Sequence, residues 1–185
     1  MAWAAGLRSF LLYINKFVSH IPWWLLIAIV FVLTLKICKK VTKAVLYSLM
    51  LFVIGAMGLW SYMNMTIAIV LTSVVLSLLI GFPIGVLISA SKHADSVVKP
   101  ILDMMQTMPA FVYLIPAVML LGLGNVPAVI ATTIYALPPI IRLTNHGIKQ
   151  VDAEVVEAAE AFGSTKWQML IKVQIPQALP TIMAG

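Results

Sequence analysis

Residues 44–91 read AVLYSLMLFVIGAMGLWSYMNMTIAIVLTSVVLSLLIGFPIGVLISAS and contain no Asp, Glu, Lys or Arg. A helix that crosses a bilayer needs about 20 apolar residues, so this run is too long for one span and suits two. Only helices and closed barrels satisfy every backbone polar group in lipid, and the run lacks the period-2 alternation of barrel strands. It therefore predicts two membrane helices, at 44–60 and 65–90, with the polar SYMN at 61–64 as the turn between them.

The composition of the whole chain agrees with this interpretation. Of its 185 residues, 62% are hydrophobic and 10% are charged, whereas soluble domains are about 45–50% apolar and 25% charged. We therefore predict an all-α integral membrane protein that lies in the cell membrane. The net charge of +6 does not indicate a nucleic-acid partner, because the basic residues flank the apolar runs instead of forming one patch. The single cysteine, Cys38, has no neighbouring metal ligands in the sequence and cannot form an internal disulfide.

Further apolar runs predict three more membrane helices. The first covers 21–37. Trp23 and Trp24 at its start, like Trp3 and Trp60, are expected to be interfacial anchors, and the tryptophans are not expected to cluster. The segment LGLGNVP at 121–127 divides the uncharged run 104–141 into spans at 110–121 and 126–141. A last apolar segment begins at 178 and stops at 185, from which we expect the chain to be truncated at its C-terminus.

The distribution of basic residues predicts the orientation. If the loop at 36–43 is cytoplasmic, ten of the twelve Lys and Arg residues lie on the cytoplasmic side, and only Arg8 and Lys16 lie outside. The positive-inside rule therefore predicts an external N-terminus and a cytoplasmic segment at 142–177.

That cytoplasmic segment contains an acidic, alanine-rich stretch, EAAEAFGSTKWQMLIKVQIPQALP, at 157–180. A helix is predicted at 151–162, followed by Gly163 as a left-handed C-cap and by a second helix at 165–173 that Ser164 caps. At 100° per residue the first helix has one apolar stripe and an acidic opposite side. The stripe comprises Val151, Val155, Ala159 and Phe162, and the acidic side comprises Glu154, Glu157 and Glu160.

An acidic face does not suit a helix that lies on anionic headgroups, since such helices carry Lys and Arg on their polar side. The pattern instead favours a protein partner that receives the helix in a groove.

The same residues resemble a family motif. Glu157-Ala158-Ala159, then Gly163, then Ile175 and Leu179-Pro180 resemble the EAA loop of ABC importer permeases, although the final I-x-L-P is spread over 175–180. Within 103–151, the blocks MQTMPAFVYLIP, GLGNVP and ALPPIIRLT are similar to the permease subunit of glycine betaine/proline betaine importers. The resemblance covers about 65–185, and residues 1–64 agree with the family only in hydropathy.

The resemblance implies the fold and the partners. The fold is the type I (MetI-like) ABC transporter transmembrane domain at 63–185, with three core helices, an EAA coupling loop at 151–175 and the start of the next helix. Residues 1–62 form an N-terminal extension with two transmembrane helices. The implied partners are a cytoplasmic ABC ATPase subunit, an external substrate-binding protein and a second permease copy. The chain itself is a transport subunit, not an enzyme, for quaternary-amine osmoprotectants.

Energy must come from a partner, because the sequence contains no G-x-x-x-x-G-K-[ST] phosphate-binding loop. By resemblance, ATP and Mg²⁺ belong to the ATPase, and no cofactor or metal is expected in this chain. Glu157 is the first candidate for a polar contact with the ATPase. Ala158 and Ala159 are candidates for close packing and Gly163 for the turn, and Glu160 and Phe162 complete the coupling set.

Four residues are weaker candidates for the substrate pathway. Pro109 and Pro116 interrupt a short span, and broken helices often line a transport route. Tyr113 and Tyr135 lie in the middle of spans, where they could contact substrate. Kinked helix packing remains open for the prolines and core packing for the tyrosines.

Two other functional classes fit the sequence less well. A stand-alone ion-coupled carrier or channel would usually have an ionisable residue within its spans, and none of the predicted spans of the 63–185 domain has one. A membrane-embedded enzyme would need a catalytic set, and the sequence shows no Ser/His/Asp arrangement, HExxH or intramembrane acid pair.

Overall fold

The computed structural model describes residues 2–184, without the side chains of Ala2 and Lys92. These residues are helical with short connections, and no strand occurs among them. The helices in chain order are α1 (Ala2–Ser19), α2 (Trp23–Cys38), α3 (Val41–Ala56), α4 (Trp60–Ser89), α5 (Lys92–Thr107), α6 (Phe111–Leu121), α7 (Asn125–Lys149), α8 (Ala153–Ala161), α9 (Lys166–Met169) and α10 (Ile175–Ile182), with a π-helical segment at Leu170–Gln174 between the last two.

The chain divides into two compact units after Thr72. The boundary predicted between residues 62 and 63 concerns the family domain and stays a prediction. In the first unit, α2 and α3 pack against each other. Trp23 and Trp60 line one apolar cavity of about 380 Å³ together with Phe52. The expectation that these tryptophans do not cluster is therefore wrong, and their role as interfacial anchors stays a prediction.

The predicted turn at 61–64 is also wrong. The chain turns at residues 57–59, where Gly58 adopts a φ of +73°, and SYMN lies inside α4. Glycine accepts this left-handed conformation without the steric penalty of a side chain, whereas Ser and Asn are tolerated within a helix. The polar segment SYMN thus lies in the first turns of α4 and not in the turn that precedes it.

Two of the described helices, α4 and α7, are long and apolar enough to cross a membrane. The number of candidate spans rises to as many as four if each of two bent pairs counts as one, α1 with α2 and α5 with α6. The helices α2 and α3 lie where spans were predicted, but each has 16 residues and is therefore about 24 Å long. The sequence did not predict α1, which meets α2 at an angle of 80°.

Small residues bring α4 and α7 into close contact in the second unit. Ser73, Ser77, Gly81 and Gly85 recur at every fourth position of α4 and form one stripe. A Cβ atom at Gly85 would lie 2.6 Å from the Cβ of Thr144, so only glycine permits this approach. Small residues at this spacing are typical of membrane helix contacts.

The helix α7 continues eight residues past the predicted end of the last span at residue 141. The prediction used hydropathy, which stops at Arg142. The final two turns are stabilised instead by polar contacts with α5, described below. Pro138 and Pro139 lie inside the helix without ending it.

The second helix of the charged segment also differs from the prediction. Thr165, and not Ser164, caps it, because Thr165 and Gln168 form a reciprocal capping box. The helical backbone then continues past residue 173 to Ile182. This stretch packs on α7, where a Cβ at Gly147 would lie 3.1 Å from the Cβ of Thr181.

Candidate functional site

The helix α8 has well-defined ends. At its start the Asp152 side chain accepts a hydrogen bond from the backbone N–H of Glu154 at 3.1 Å. At its end Gly163 has a φ of +78°, and the Ser164 N–H donates to the Ala159 carbonyl at 3.1 Å. The left-handed Gly163 is confirmed, and the helix is somewhat shorter than the predicted 151–162. Caps at both ends make this short helix a stable unit.

One side of α8 is exposed. No residue of the helix is buried. Val151, Val155 and Ala159 of the predicted apolar stripe are half-buried, whereas Phe162 is 91% exposed. The assignment of Phe162 to the stripe is wrong, because the helix ends at Ala161 and the chain then turns at Gly163. Ala158, Ala161 and Phe162 are exposed and form a surface of small residues beside one large aromatic ring.

The glutamates of α8 do not share one environment. Glu157 and Glu160 line a cavity of about 680 Å³ between α8, α9 and the end of α7, and Glu154 does not line it. Lys149 and Lys166 line the same cavity. Among the described residues, neither Glu157 nor Glu160 is in an ion pair. The two carboxylates therefore remain available to a partner that enters this cavity.

A buried carboxylate, Asp95 of α5, contacts the last turns of α7, the helix that precedes α8. Its Oδ2 lies 2.7 Å from the Lys149 Nζ and 2.8 Å from the Lys99 Nζ. Its Oδ1 accepts a hydrogen bond from the Asn145 Nδ2 at 2.6 Å. The hydrogen bond from Lys149, followed by that from Lys99, holds the pKa of Asp95 well below its usual range, although burial opposes this shift.

The sequence analysis missed this cluster. Asp95 and Lys99 have the i,i+4 spacing of a helical ion pair, which was the available signal. Nothing in the sequence indicated that Asn145 and Lys149 would meet them, since 50 residues separate Asn145 from Asp95. A second ion pair joins Asp103 of α5 to Arg142 of α7, and it is more open to solvent.

The pathway candidates are dispersed. The Tyr113 hydroxyl donates to the Met105 carbonyl at 2.9 Å and so joins α6 to α5 across their 84° bend. Pro109 lies in this bend, and Pro116 lies within α6. Tyr135 is half-exposed and lines a separate apolar cavity of about 210 Å³ with Phe111. A role for these four residues in the pathway stays a prediction.

In the described part of the chain, no three His, Cys, Asp or Glu side chains are grouped as metal ligands. No metal centre is therefore assigned to the α8 surface or to its cavity.

Residues 74–185 match the family model described as "Binding-protein-dependent transport system inner membrane component". The chain belongs to this family. The match includes α5 to α10 and the second half of α4, and so contains the whole α8 surface and the Asp95 cluster. It confirms the family resemblance and the all-α, multi-pass membrane fold of the type I (MetI-like) class.

Three curated relatives illustrate the similarity. The glycine betaine/proline betaine transport system permease protein ProW of Escherichia coli strain K12 is 55% identical over 135 residues, which are 73% of this chain and 38% of the relative. The glycine betaine/carnitine transport permease protein GbuB of Listeria monocytogenes is 47% identical over 171 residues, 89% of this chain and 60% of the relative. The glycine betaine transport system permease protein OpuAB of Bacillus subtilis is 54% identical over 132 residues, 71% of this chain and 47% of the relative. The chain thus spans less than two thirds of the length of these relatives.

Proposed function

We propose that the chain is the membrane-spanning permease subunit of an ATP-driven importer for quaternary-amine osmoprotectants of the glycine betaine/proline betaine type. The observation that carries this proposal is α8, a short helix with a cap at each end and no buried residue, located within the region that matches the family. Its exposed side combines the small residues Ala158 and Ala161 with the aromatic ring of Phe162, and aromatic residues are frequent anchors of protein interfaces.

The partner that binds α8 is a cytoplasmic ABC ATPase subunit. The sequence has no phosphate-binding loop, so ATP and Mg²⁺ bind on that partner. The helix α8 docks in a groove of the ATPase. Through this contact, ATP binding and hydrolysis drive the rearrangement of the membrane helices between inward-open and outward-open states. Glu157 and Glu160 contribute carboxylates to the contact, and Phe162 contributes apolar area.

The orientation follows from the basic residues. An external N-terminus places α8 in the cytoplasm, on the side of the ATPase. An external binding protein then delivers the substrate at the opposite face, and a second permease copy completes the pore.

The substrate class is supported by two observations. The names of the relatives specify glycine betaine, proline betaine and carnitine as their substrates, which are zwitterions with a quaternary ammonium group. In addition, α4 contains no Asp, Glu, Lys or Arg. A zwitterion has no net charge, so its passage needs no intramembrane counter-ion.

Uptake of radiolabelled glycine betaine in cells that carry Glu157→Lys tests the proposal. We expect uptake to be lost and the ATPase no longer to co-purify, because the substitution reverses the charge in the docking cavity. The control is Lys16→Glu, a charge reversal at an exposed residue on the predicted external side, which should leave both measurements unchanged. Normal uptake by Glu157→Lys that instead collapses with a protonophore while ATP stays high would favour an ion-coupled carrier.

A further inference from the structure

The position of α8 depends on the end of α7. The helix α7 ends at Lys149, and Asp152, the N-cap of α8, follows after only two intervening residues. A connection this short leaves little freedom between the two helices. Whatever holds the last turn of α7 therefore also sets the position of α8.

The Asp95 carboxylate joins that last turn to α5, while Gly147 and Ile148 of the same turn pack on α10. It receives two lysine ammonium groups and one amide N–H through its two oxygens, and the residue is only 9% exposed. Two of these donors, Asn145 and Lys149, lie one turn apart on α7. Charge-assisted hydrogen bonds of this kind are shorter and stronger than neutral ones.

The role of Asn145 follows from its own hydrogen bonds. It is 6% exposed, and its Oδ1 has no hydrogen-bond partner among the described residues. A buried oxygen without a hydrogen-bond partner is unfavourable, so the Oδ1 atom does not account for an asparagine at this buried position. The group that is used is Nδ2, which donates to Asp95.

On the other side of the cluster, α5 leads to the membrane. Asp95 lies in the first turn of α5, and α5 meets α6 at an 84° bend. The hydrogen bond from Tyr113 to the Met105 carbonyl ties the two helices together across the bend. A continuous set of contacts therefore runs from α8 through the end of α7 to Asp95, and on through α5 to α6.

We propose that Asp95 is a positioning residue for transport: it fixes the last turn of α7 to α5, so that a displacement of α8 moves the α5–α6 pair. This inference rests on the proposed function, because the displacement comes from the ATPase. Loss of the Asp95 carboxylate loosens the link between the end of α7 and α5, so less substrate is transported for each ATP hydrolysed.

The chain offers a matched control in the Asp103–Arg142 pair. It also joins α5 to α7, but its side chains are 61% and 41% exposed, and Arg142 lies about two turns before the end of α7. Exposed ion pairs contribute little. Replacement of either aspartate by asparagine removes one charge from α5, and only Asp95→Asn should affect α8.

The experiment reconstitutes the permease with its co-purified ATPase in vesicles and measures glycine betaine uptake and phosphate release together. We expect Asp95→Asn to keep its ATPase activity while uptake per ATP falls about tenfold. Asp103→Asn should change this ratio by less than about twofold. Equal ratios in the two variants would overturn the inference.

Hydrogen exchange of the α8 amides gives a second measurement that does not need transport. We expect faster exchange at 153–161 in Asp95→Asn than in Asp103→Asn, and equal exchange would overturn the inference. This measurement separates the two proposals: a wild-type permease that imports no betaine refutes the proposed function, while the exchange rates still decide whether Asp95 holds α8.

A charge exchange keeps the test valid if Asp95→Asn does not fold. The double variant Asp95→Lys with Lys149→Asp restores opposite charges between α5 and α7, and the single Lys149→Asp variant controls for the loss of a lysine from the cavity beside Glu157. We expect the double variant to recover most of the uptake per ATP. A folded double variant that stays as uncoupled as the single Lys149→Asp variant would contradict the proposal.

Discussion

The contact between α4 and α7 and the surface of α8 represent opposite ways of using small residues. At the α4–α7 contact, Gly85 lies so close to Thr144 that a Cβ would clash, and Thr144 is fully buried. On α8, Ala158 and Ala161 are equally small, but they are exposed. Small residues thus allow close approach within the chain in the first case, and leave a surface open in the second.

The difference shows which parts of the molecule its own sequence stabilises. The stripe from Ser73 to Gly85 packs against α7, and the Ser73 hydroxyl donates a hydrogen bond to the Val129 carbonyl of α7 at 3.2 Å. The surface of α8 has caps and a supporting carboxylate, but nothing within the described chain covers Phe162. Substitutions in the first region should therefore reduce stability, and those in the second should reduce binding.

The largest effect is expected for Gly85→Leu. Its side chain would meet the Thr144 Cβ at 2.6 Å and the Ile141 carbonyl oxygen at 2.9 Å, so α4 and α7 would have to separate. Overpacking of this kind costs about 3 kcal/mol. A thermal unfolding measurement in detergent checks this, with Gly6→Leu as the control, because a Cβ at Gly6 meets nothing within 4 Å. Similar melting temperatures for the two variants would show that the α4–α7 contact is not tight.

The second effect should appear in binding alone. Phe162→Ala removes a ring that is 91% exposed, so the melting temperature should not change. Since large apolar residues at the centre of interfaces dominate affinity, we expect the ATPase to bind about tenfold more weakly. Titration of the purified ATPase against the permease in nanodiscs measures this. A fall in melting temperature with unchanged affinity would reverse the distinction between the two regions.

These two regions also differ in how far the sequence predicted them. The α8 helix and its left-handed Gly163 followed from a local pattern of caps and periodicity, because such features depend on neighbouring residues. The contact at Gly85 and the Asp95 cluster were missed, because they join residues that are about 50 or more positions apart. The turn at Gly58 was assigned to 61–64, since a polar segment was given more weight than a glycine.

A third, smaller effect is expected for Gly163→Ala. The φ of +78° is unfavourable for a residue with a Cβ, and the penalty is about 1 kcal/mol. The end of α8 should fray, and hydrogen exchange at Ser164, whose N–H closes the helix, should accelerate. Gly163→Asn should be milder, because asparagine tolerates the left-handed region. Equally faster hydrogen exchange at Ser164 in both variants would mean that the left-handed backbone conformation at position 163 does not determine the stability of the end of α8.

The smallest effect concerns pH. Because Lys149 and Lys99 lower the pKa of Asp95 in the folded protein, its contribution to stability is present above the unfolded pKa of about 3.9 and is lost as the pH falls through the lower folded pKa. The difference in melting temperature between the wild type and Asp95→Asn should therefore stay constant from about pH 6 to 8 and shrink below about pH 4. A difference that already shrinks between pH 8 and 6 would contradict the ion cluster.

The central claim, that α8 is where a separate motor protein docks, is tested most directly by site-specific photo-crosslinking in native membranes. A photoreactive side chain replaces Phe162 in one variant and Leu123 in the other. The two residues are 91% and 93% exposed and are predicted to lie on opposite sides of the membrane. We predict that the probe at position 162 captures the ATP-hydrolysing subunit and that the probe at position 123 does not. Capture of that subunit from position 123, or from neither position, would contradict the account.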